Sequence, residues 1–284
     1  MKNAVIGLII ILLGAAAWYF FSIQKASDTT PPPAQPVIIE PTLPAAEPEP
    51  ESRGLPEPEI AVVEPEPEPL TEAEPLPPLN ESDGLVLQSL SAMLGEAGVM
   101  QFLLDEDLIS RFVASVDALT SRQVPGQVMA VRGLGGEFEA SADEQPEKLI
   151  LNAEGDPIPQ FVLNPDNYQR YAGQVEMFEA ANTGELLALY QKMAPLFGQA
   201  WAELGYPEES FDERLVEVID SLLATPDVQA PIRLIKPEAF YLCADPELES
   251  LPAGQKLLLR MGPENAGRVK AKLSEIRSIL VEEN

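Results

Sequence analysis

Histidine is absent from the 284 residues, and this prunes the available chemistry at once. No Ser-His or Cys-His nucleophile can be assembled, and the commonest metal ligand is missing. The single cysteine, Cys243, has no partner for an internal disulfide. It cannot build a multi-cysteine zinc or iron–sulfur site either. Carboxylates are the abundant reactive groups, with 46 Asp and Glu against 18 Lys and Arg. Two of them held about 5–9.5 Å apart, one with a raised pKa, can act as acid and base in glycan cleavage. Glu137 and Glu139 alternate onto one face of an expected strand, and Asp245, Glu247 and Glu249 cluster near an expected loop. With acids this frequent, such neighbours also arise from composition alone.

The remaining motifs are structural. Gly133-Leu134-Gly135-Gly136 lacks the Lys-Ser/Thr of a phosphate-cradling loop and the spacing of a dinucleotide fingerprint, so it reads as a flexible turn. No calcium-binding loop of the D-x-[DN]-x-[DN]-G type is present, and Asn164-Pro165-Asp166-Asn167 reads as a helix cap. Cys243, between Leu242 and Ala244, reads as a small buried residue. The expectation is a chain with no cofactor, no metal and no enzymatic activity. Asp117, Arg170, Arg214 and Asp220 lie beside apolar stripes in helical stretches, and some of them are expected to pair internally.

One region departs from the acidity. Between Lys256 and Arg277 there are six basic residues and two acids, Glu264 and Glu275. Val269, Leu273, Ile276 and Leu280 form an apolar stripe there, with Arg268, Lys270, Lys272 and Arg277 on the polar side. These four are the candidate contacts for an envelope protein or an anionic cell-wall component. The opposing reading is a solvated face that offsets acidic neighbours. The net charge of −28 argues against a nucleic-acid partner, because phosphate binding is driven by Lys and Arg.

The elements that must position these residues are mostly helical. Ser82 is placed to cap a helix through Leu94 that stops at Gly98, and Leu108–Leu119 carries a stripe behind Asp105, Glu106 and Asp107. Glu137–Ser141 and Lys148–Asn152 read as short strands. Asn164-Pro165 opens a helix through Phe178. Thr183–Leu204 is helical by pattern, with Pro195 expected to break or kink it. Ser210-Phe211-Asp212-Glu213 is a capping box for a helix through Leu222. Pro231–Lys236 and Ala239–Ala244 suggest a hairpin, followed by helices over Ala253–Met261 and Glu264–Glu283. The fold class is therefore mostly α with a minor β component (α+β).

Three segments follow from composition. Residues 1–26 hold the uncharged run 4–23, long enough at about 1.5 Å per residue to cross a bilayer. Trp18 and Tyr19 stand at its C-terminal end, as suits a membrane interface. A cleavable signal peptide with a site at Ala15-Ala16-Ala17 is the alternative, but the apolar run continues through Phe21. Residues 27–79 contain 16 prolines, 12 acids and one basic residue, Arg53. Proline and charge repulsion both extend such a chain, to at most about 160 Å as polyproline II. It reads as a disordered spacer. Residues 80–284 form the soluble helical domain, with 34 acids and 15 basic residues of its own. The lipid bilayer is the expected partner of residues 4–23. The N-terminus is expected in the cytoplasm of a bacterium, with a single pass through the inner membrane and the C-terminal domain in the periplasm.

Several segments resemble a known family. They include Leu79-Asn80-Glu81-Ser82-Asp83, Arg111-Phe112-Val113-Ala114, Arg170-Tyr171 and Leu204-Gly205-Tyr206-Pro207. Leu222-Leu223-Ala224-Thr225-Pro226 and Gly254-Gln255-Lys256-Leu257-Leu258-Leu259-Arg260-Met261-Gly262 continue the series. Over roughly residues 79–280 the chain resembles the domain of unknown function 3014 family. The resemblance implies a bacterial single-pass envelope protein with a Pro-rich spacer, and it implies no activity. The function expected is a membrane-anchored, envelope-facing binding or scaffold module, with a carboxylate-dependent hydrolase of envelope glycan as the alternative.

Overall fold

A helix needs its first N–H groups satisfied, and the start of this structure shows how far the chain goes to do so. The computed structural model describes residues 75–124, 128–134, 137–228, 231–238 and 240–282. A 3-10 turn, Leu79–Glu81, leads into α1, Asp83–Leu94. Ser82 does not cap α1: its hydroxyl donates back to the Leu79 carbonyl at 2.7 Å. The break comes at Gly95, whose φ of +84° a side chain would resist, and not at Gly98. The chain restarts as α2, Glu96–Phe102. Gly98 lies inside α2, where an added Cβ would sit 2.9 Å from Met177 Sδ.

The next helix, α3, Leu108–Ala118, buries Leu108, Ile109, Phe112, Val113 and Val116 as its spacing requires. Its first turn is capped from a distance. The Asp83 carboxylate accepts from Asp107 N at 2.9 Å and from Leu108 N at 2.8 Å. Asp107 itself holds a left-handed φ of 55° and gives no side-chain cap.

Four short strands follow: β1 Ala140–Ala142, β2 Gln160–Leu163, β3 Arg233–Ile235 and β4 Leu242–Cys243. They form one antiparallel sheet in the order β1-β2-β3-β4, with Ala140 opposite Leu163, Phe161 opposite Leu234 and Leu234 opposite Cys243. The expected strand 137–141 is thus displaced to 140–142. The expected strand 148–152 does not join the sheet, and folds back on 156–158 as a separate arm. The expected hairpin is present as β3 and β4 in shorter form, with Ala239 outside the described residues.

Asn164 caps the 3-10 turn Pro165–Tyr171, its Oδ1 accepting from Asp166 N at 2.9 Å, and α4, Ala172–Ala180, continues from it. Helix α5, Thr183–Leu204, runs unbroken through Pro195. Proline inside a helix costs about 3 kcal/mol or more. The burial of Met193, Leu196, Phe197, Ala200 and Trp201 on either side of it outweighs the lost bond. Gly205, at φ +122°, ends the helix. Then come α6 Phe211–Leu223 behind the Ser210 cap, α7 Pro246–Ser250, α8 Ala253–Arg260 and α9 Gly262–Glu282.

The buried side chains fall into two clusters. The larger joins α1, α3, α5, α6 and α9, with Phe112 edge-on to Phe197, Phe197 stacked on Phe211 and Trp201 tilted against Phe211 at its centre. The smaller, under the sheet, is Leu163, Ile232, Leu234 and Leu259. Helix α8 serves both: Leu257 and Leu258 enter the larger cluster and Leu259 the smaller. Every residue from Ala253 to Leu259 is buried. No helix among the described residues is long and apolar enough to cross a membrane. The apolar run 4–23 and the spacer through residue 74 lie outside them.

At Gly254 an added Cβ would stand 2.6 Å from Leu222 Cδ2 and 3.2 Å from both Leu119 Cβ and the Leu119 carbonyl. Gly267, on α9, has open space around it. Gly254→Ala should therefore lower stability by about 1–3 kcal/mol through overpacking, whereas Gly267→Ala should leave it unchanged or raise it by up to about 1 kcal/mol. Urea titrations of the two variants against wild type check both signs.

Candidate functional site

The four basic residues expected to receive a partner are all engaged within the domain. Arg268 Nε donates to Glu179 Oε2 on α4 at 2.9 Å. Lys270 Nζ donates to the Thr225 carbonyl at 2.6 Å and to Asp227 Oδ1 at 3.1 Å, beyond the end of α6. Lys272 pairs with Glu275 at 3.1 Å, and Glu275 Oε1 accepts from the Thr183 hydroxyl at 2.6 Å. Arg277 Nη2 donates to Asp220 Oδ2 on α6 at 3.0 Å. The apolar stripe of α9 is buried as its spacing predicts. Arg268 and Arg277 then fasten the same helix to α4 and α6, Lys270 fastens it to the segment after α6, and the link to α5 is made by the acid Glu275. These bonds hold the Asp220 and Glu275 carboxyls below their ordinary values, by the Arg277 and Thr183 hydrogen bonds respectively.

The expected internal pairing is found at Arg214, whose Nε and Nη2 meet Asp117 Oδ1 at 2.9 and 2.8 Å. Its Nη2 also donates to Thr120 Oγ1 at 2.6 Å, so one guanidinium ties the end of α3 to α6. Asp220 pairs with Arg277, and Arg170 Nη1 donates to Asn167 Oδ1 at 3.3 Å.

The two carboxylate sets take structural positions. Glu137 and Glu139 precede β1, so strand alternation does not place them on one face. Glu139 is bound into the Asn164 cap, with Oε2 accepting from Asn164 Nδ2 at 3.1 Å. Asp245 Oδ1 caps α7 by accepting from Glu247 N at 2.8 Å. Glu249 accepts from Cys243 N at 2.7 Å and from Lys256 Nζ at 2.9 Å. Cys243 is buried, and desolvation pushes its thiol pKa up, away from the nucleophilic thiolate. Of the glycine-rich turn, Gly135 and Gly136 lie outside the described residues. Among the described residues no group of three or more His, Cys, Asp or Glu side chains could hold a metal ion.

Two hollows share the walls Val228 and Ile232. The smaller, about 280 Å³, lies between Tyr168, Thr225, Leu258, Pro263 and Lys270. The larger, about 560 Å³, is a groove between the arm Leu149–Leu151, Ile232 with the first residue of β3, Arg233, and α7 at Pro246 and Leu248. The sequence pattern marked 148–152 as extended but did not mark it as a wall. Asn152, Gly155, Pro157 and Pro159 are the turn and edge signals that set it apart.

The model of a family described as Protein of unknown function (DUF3014) matches residues 108–277. The chain belongs to the DUF3014 family. No curated protein and no solved structure matches it. The DUF3014 segment runs from the first residue of α3 into the last turns of α9 and includes the sheet, both hollows and α8, while α1 and α2 precede it.

The depressed Asp220 and Glu275 values set a pH window. A carboxyl lowered in the folded state adds stability above its ordinary value, 3.8 for Asp220 and 4.5 for Glu275, and loses it as pH falls through the folded value. Thr183→Val should therefore cost about 1 kcal/mol at pH 7, and the difference from wild type should shrink below about pH 4. Urea titrations at pH 7 and pH 3 read both values.

Proposed function

We propose that this chain is a membrane-anchored, envelope-facing binding or scaffold module. Residues 4–23 cross a bacterial inner membrane with the N-terminus in the cytoplasm, and the helical domain stands in the periplasm on the Pro/Glu-rich spacer. The observation that carries this reading is the order of the three segments. An uncharged run of bilayer length is followed by 16 prolines in residues 27–79 and then by a domain with its own packed core. Like charges and fixed φ angles keep such a spacer extended, so the domain acts at a distance from the bilayer surface.

Membership of the family adds no activity to this reading. Within the domain, the groove beside Leu149 and Leu151 suits a partner better than the basic side of α9. Binding at Arg268, Lys270, Lys272 or Arg277 would first have to displace Glu179, Asp227, Glu275 or Asp220.

A reporter enzyme that is active only outside the cytoplasm, fused after Asn284, should be active in bacterial cells. The fusion should also stay with membranes through an alkaline carbonate wash. Deleting residues 4–23 should abolish both results. An inactive reporter, or a wild-type chain washed off the membranes, would overturn the assignment.

A further inference from the structure

The arm that walls the groove is a short antiparallel hairpin. Ile158 N donates to the Ile150 carbonyl at 2.8 Å and Asn152 N to the Asp156 carbonyl at 2.9 Å, with Leu151 opposite Pro157. The turn is held by Asn152 Oδ1, which accepts from Glu154 N and Asp156 N, and by Gly155 at φ +88°. Backbone groups alternate along an extended strand. Those of Ile150 and Asn152 face the return strand, so the N–H and C=O groups of Leu149 and Leu151 face outward. Among the described residues these four groups have no hydrogen-bond partner. The side chains on the same two residues are also uncovered, at 63% and 54% exposure. They are two of the five exposed large apolar side chains among the described residues.

An outward row of backbone groups beside an apolar groove is the geometry that accepts an added strand. Charge narrows the occupant. The segments that build the groove and its arm expose Glu144, Glu154, Asp156, Asp245 and Glu247. Arg233 is spent on Asp143 at 3.1 Å and Glu147 at 2.8 Å, which leaves Lys148 as the one exposed cation on the arm. A second copy would set the same acids against one another, and an anionic polymer would meet the same repulsion.

We propose that the outer edge of the Leu149–Leu151 arm, with the adjoining groove, binds an extended segment of a partner protein in which apolar residues alternate with Lys or Arg. The partner pairs its backbone with Leu149 and Leu151, seats its apolar side chains in the groove and sets its cations against the acidic rim. This rests on the binding-module reading and names its partner class. The binding assay needs no membrane placement, so it can fail while the topology assignment stands, and the reverse also holds.

The test uses the full chain in detergent and fluorescence anisotropy with a labelled peptide of alternating valine and lysine. A valine–glutamate peptide and a valine–lysine peptide N-methylated along one edge serve as controls. The valine–lysine peptide should bind at least about tenfold more tightly than either control. The Leu149→Ser/Leu151→Ser variant should lose at least about tenfold in affinity with its thermal transition unchanged. Absence of valine–lysine binding would overturn the proposal. So would equal binding of the N-methylated peptide, which would mark general attraction to an acidic surface, or equal binding of the valine–glutamate peptide. A concentration-dependent dimer dissolved by the same double substitution would make the occupant a second copy and overturn it as well.

Discussion

Everything in the domain is built around a helix that has no free side. Helix α8 is eight residues long, and seven of them, Ala253 to Leu259, are buried. Such a helix cannot be held by one amphipathic stripe; it must be surrounded. Its N-terminal end is seated by two backbone bonds, Ala253 N to the Ser121 carbonyl at 2.8 Å and Gly254 N to the Leu119 carbonyl at 2.9 Å. Its C-terminal end turns at Gly262, at φ +83°, where a Cβ would meet the Tyr168 ring 2.6 Å away. Between these ends Gln255 donates to the Ser221 carbonyl at 2.6 Å, and Lys256 reaches Glu249. The helical cluster and the sheet cluster both draw side chains from this element, Leu257 and Leu258 for the first and Leu259 for the second. Leu258 and Leu259 of this helix also line the smaller hollow.

The second organising feature is the use of positive charge. In a domain with 34 acids and 15 basic residues, cations are scarce enough that their placement is informative. Arg214 ties α3 to α6, Lys256 ties α8 to α7, and Arg268, Lys270 and Arg277 of α9 reach helices or loops distant in sequence. Pairs as exposed as Arg277 with Asp220 contribute little each. Together they add polar links from α9 to α4, to α6 and to the segment after α6, beside the buried apolar stripe. Three cations of the basic stretch, Arg268, Lys270 and Arg277, thus pair with acids elsewhere in the domain, in which acids outnumber basic residues.

Much of this was legible in the residues themselves. The span of α5, the Ser210 and Asn164 caps, the β3–β4 hairpin and the α9 stripe all follow from local spacing, because each depends on neighbours within a few positions. What escaped the pattern depends on distant partners. The role of Asp83 is set by an N-terminus 24 residues away. The stop at Gly95 required a backbone angle that Gly98, equally suitable by type, does not adopt. Strand β2 was missed because Pro157 and Pro159 precede it, and Lys148–Asn152 drew the assignment by its apolar run. The α9 pairings were not legible at all: Arg268 and Glu179 are 89 residues apart, and only the tertiary fold brings them together.

The Asp83 carboxylate also bears on where this domain starts as a folding unit. The family segment opens at Leu108, yet the N–H of Leu108 is bound by a residue on α1. The same helix pair buries Val86, Leu90 and Val99 against the body. A chain cut at the family boundary would leave α3 with bare donors and an uncovered apolar flank. The family match thus begins at α3, while the helix pair that caps and covers α3 lies before it.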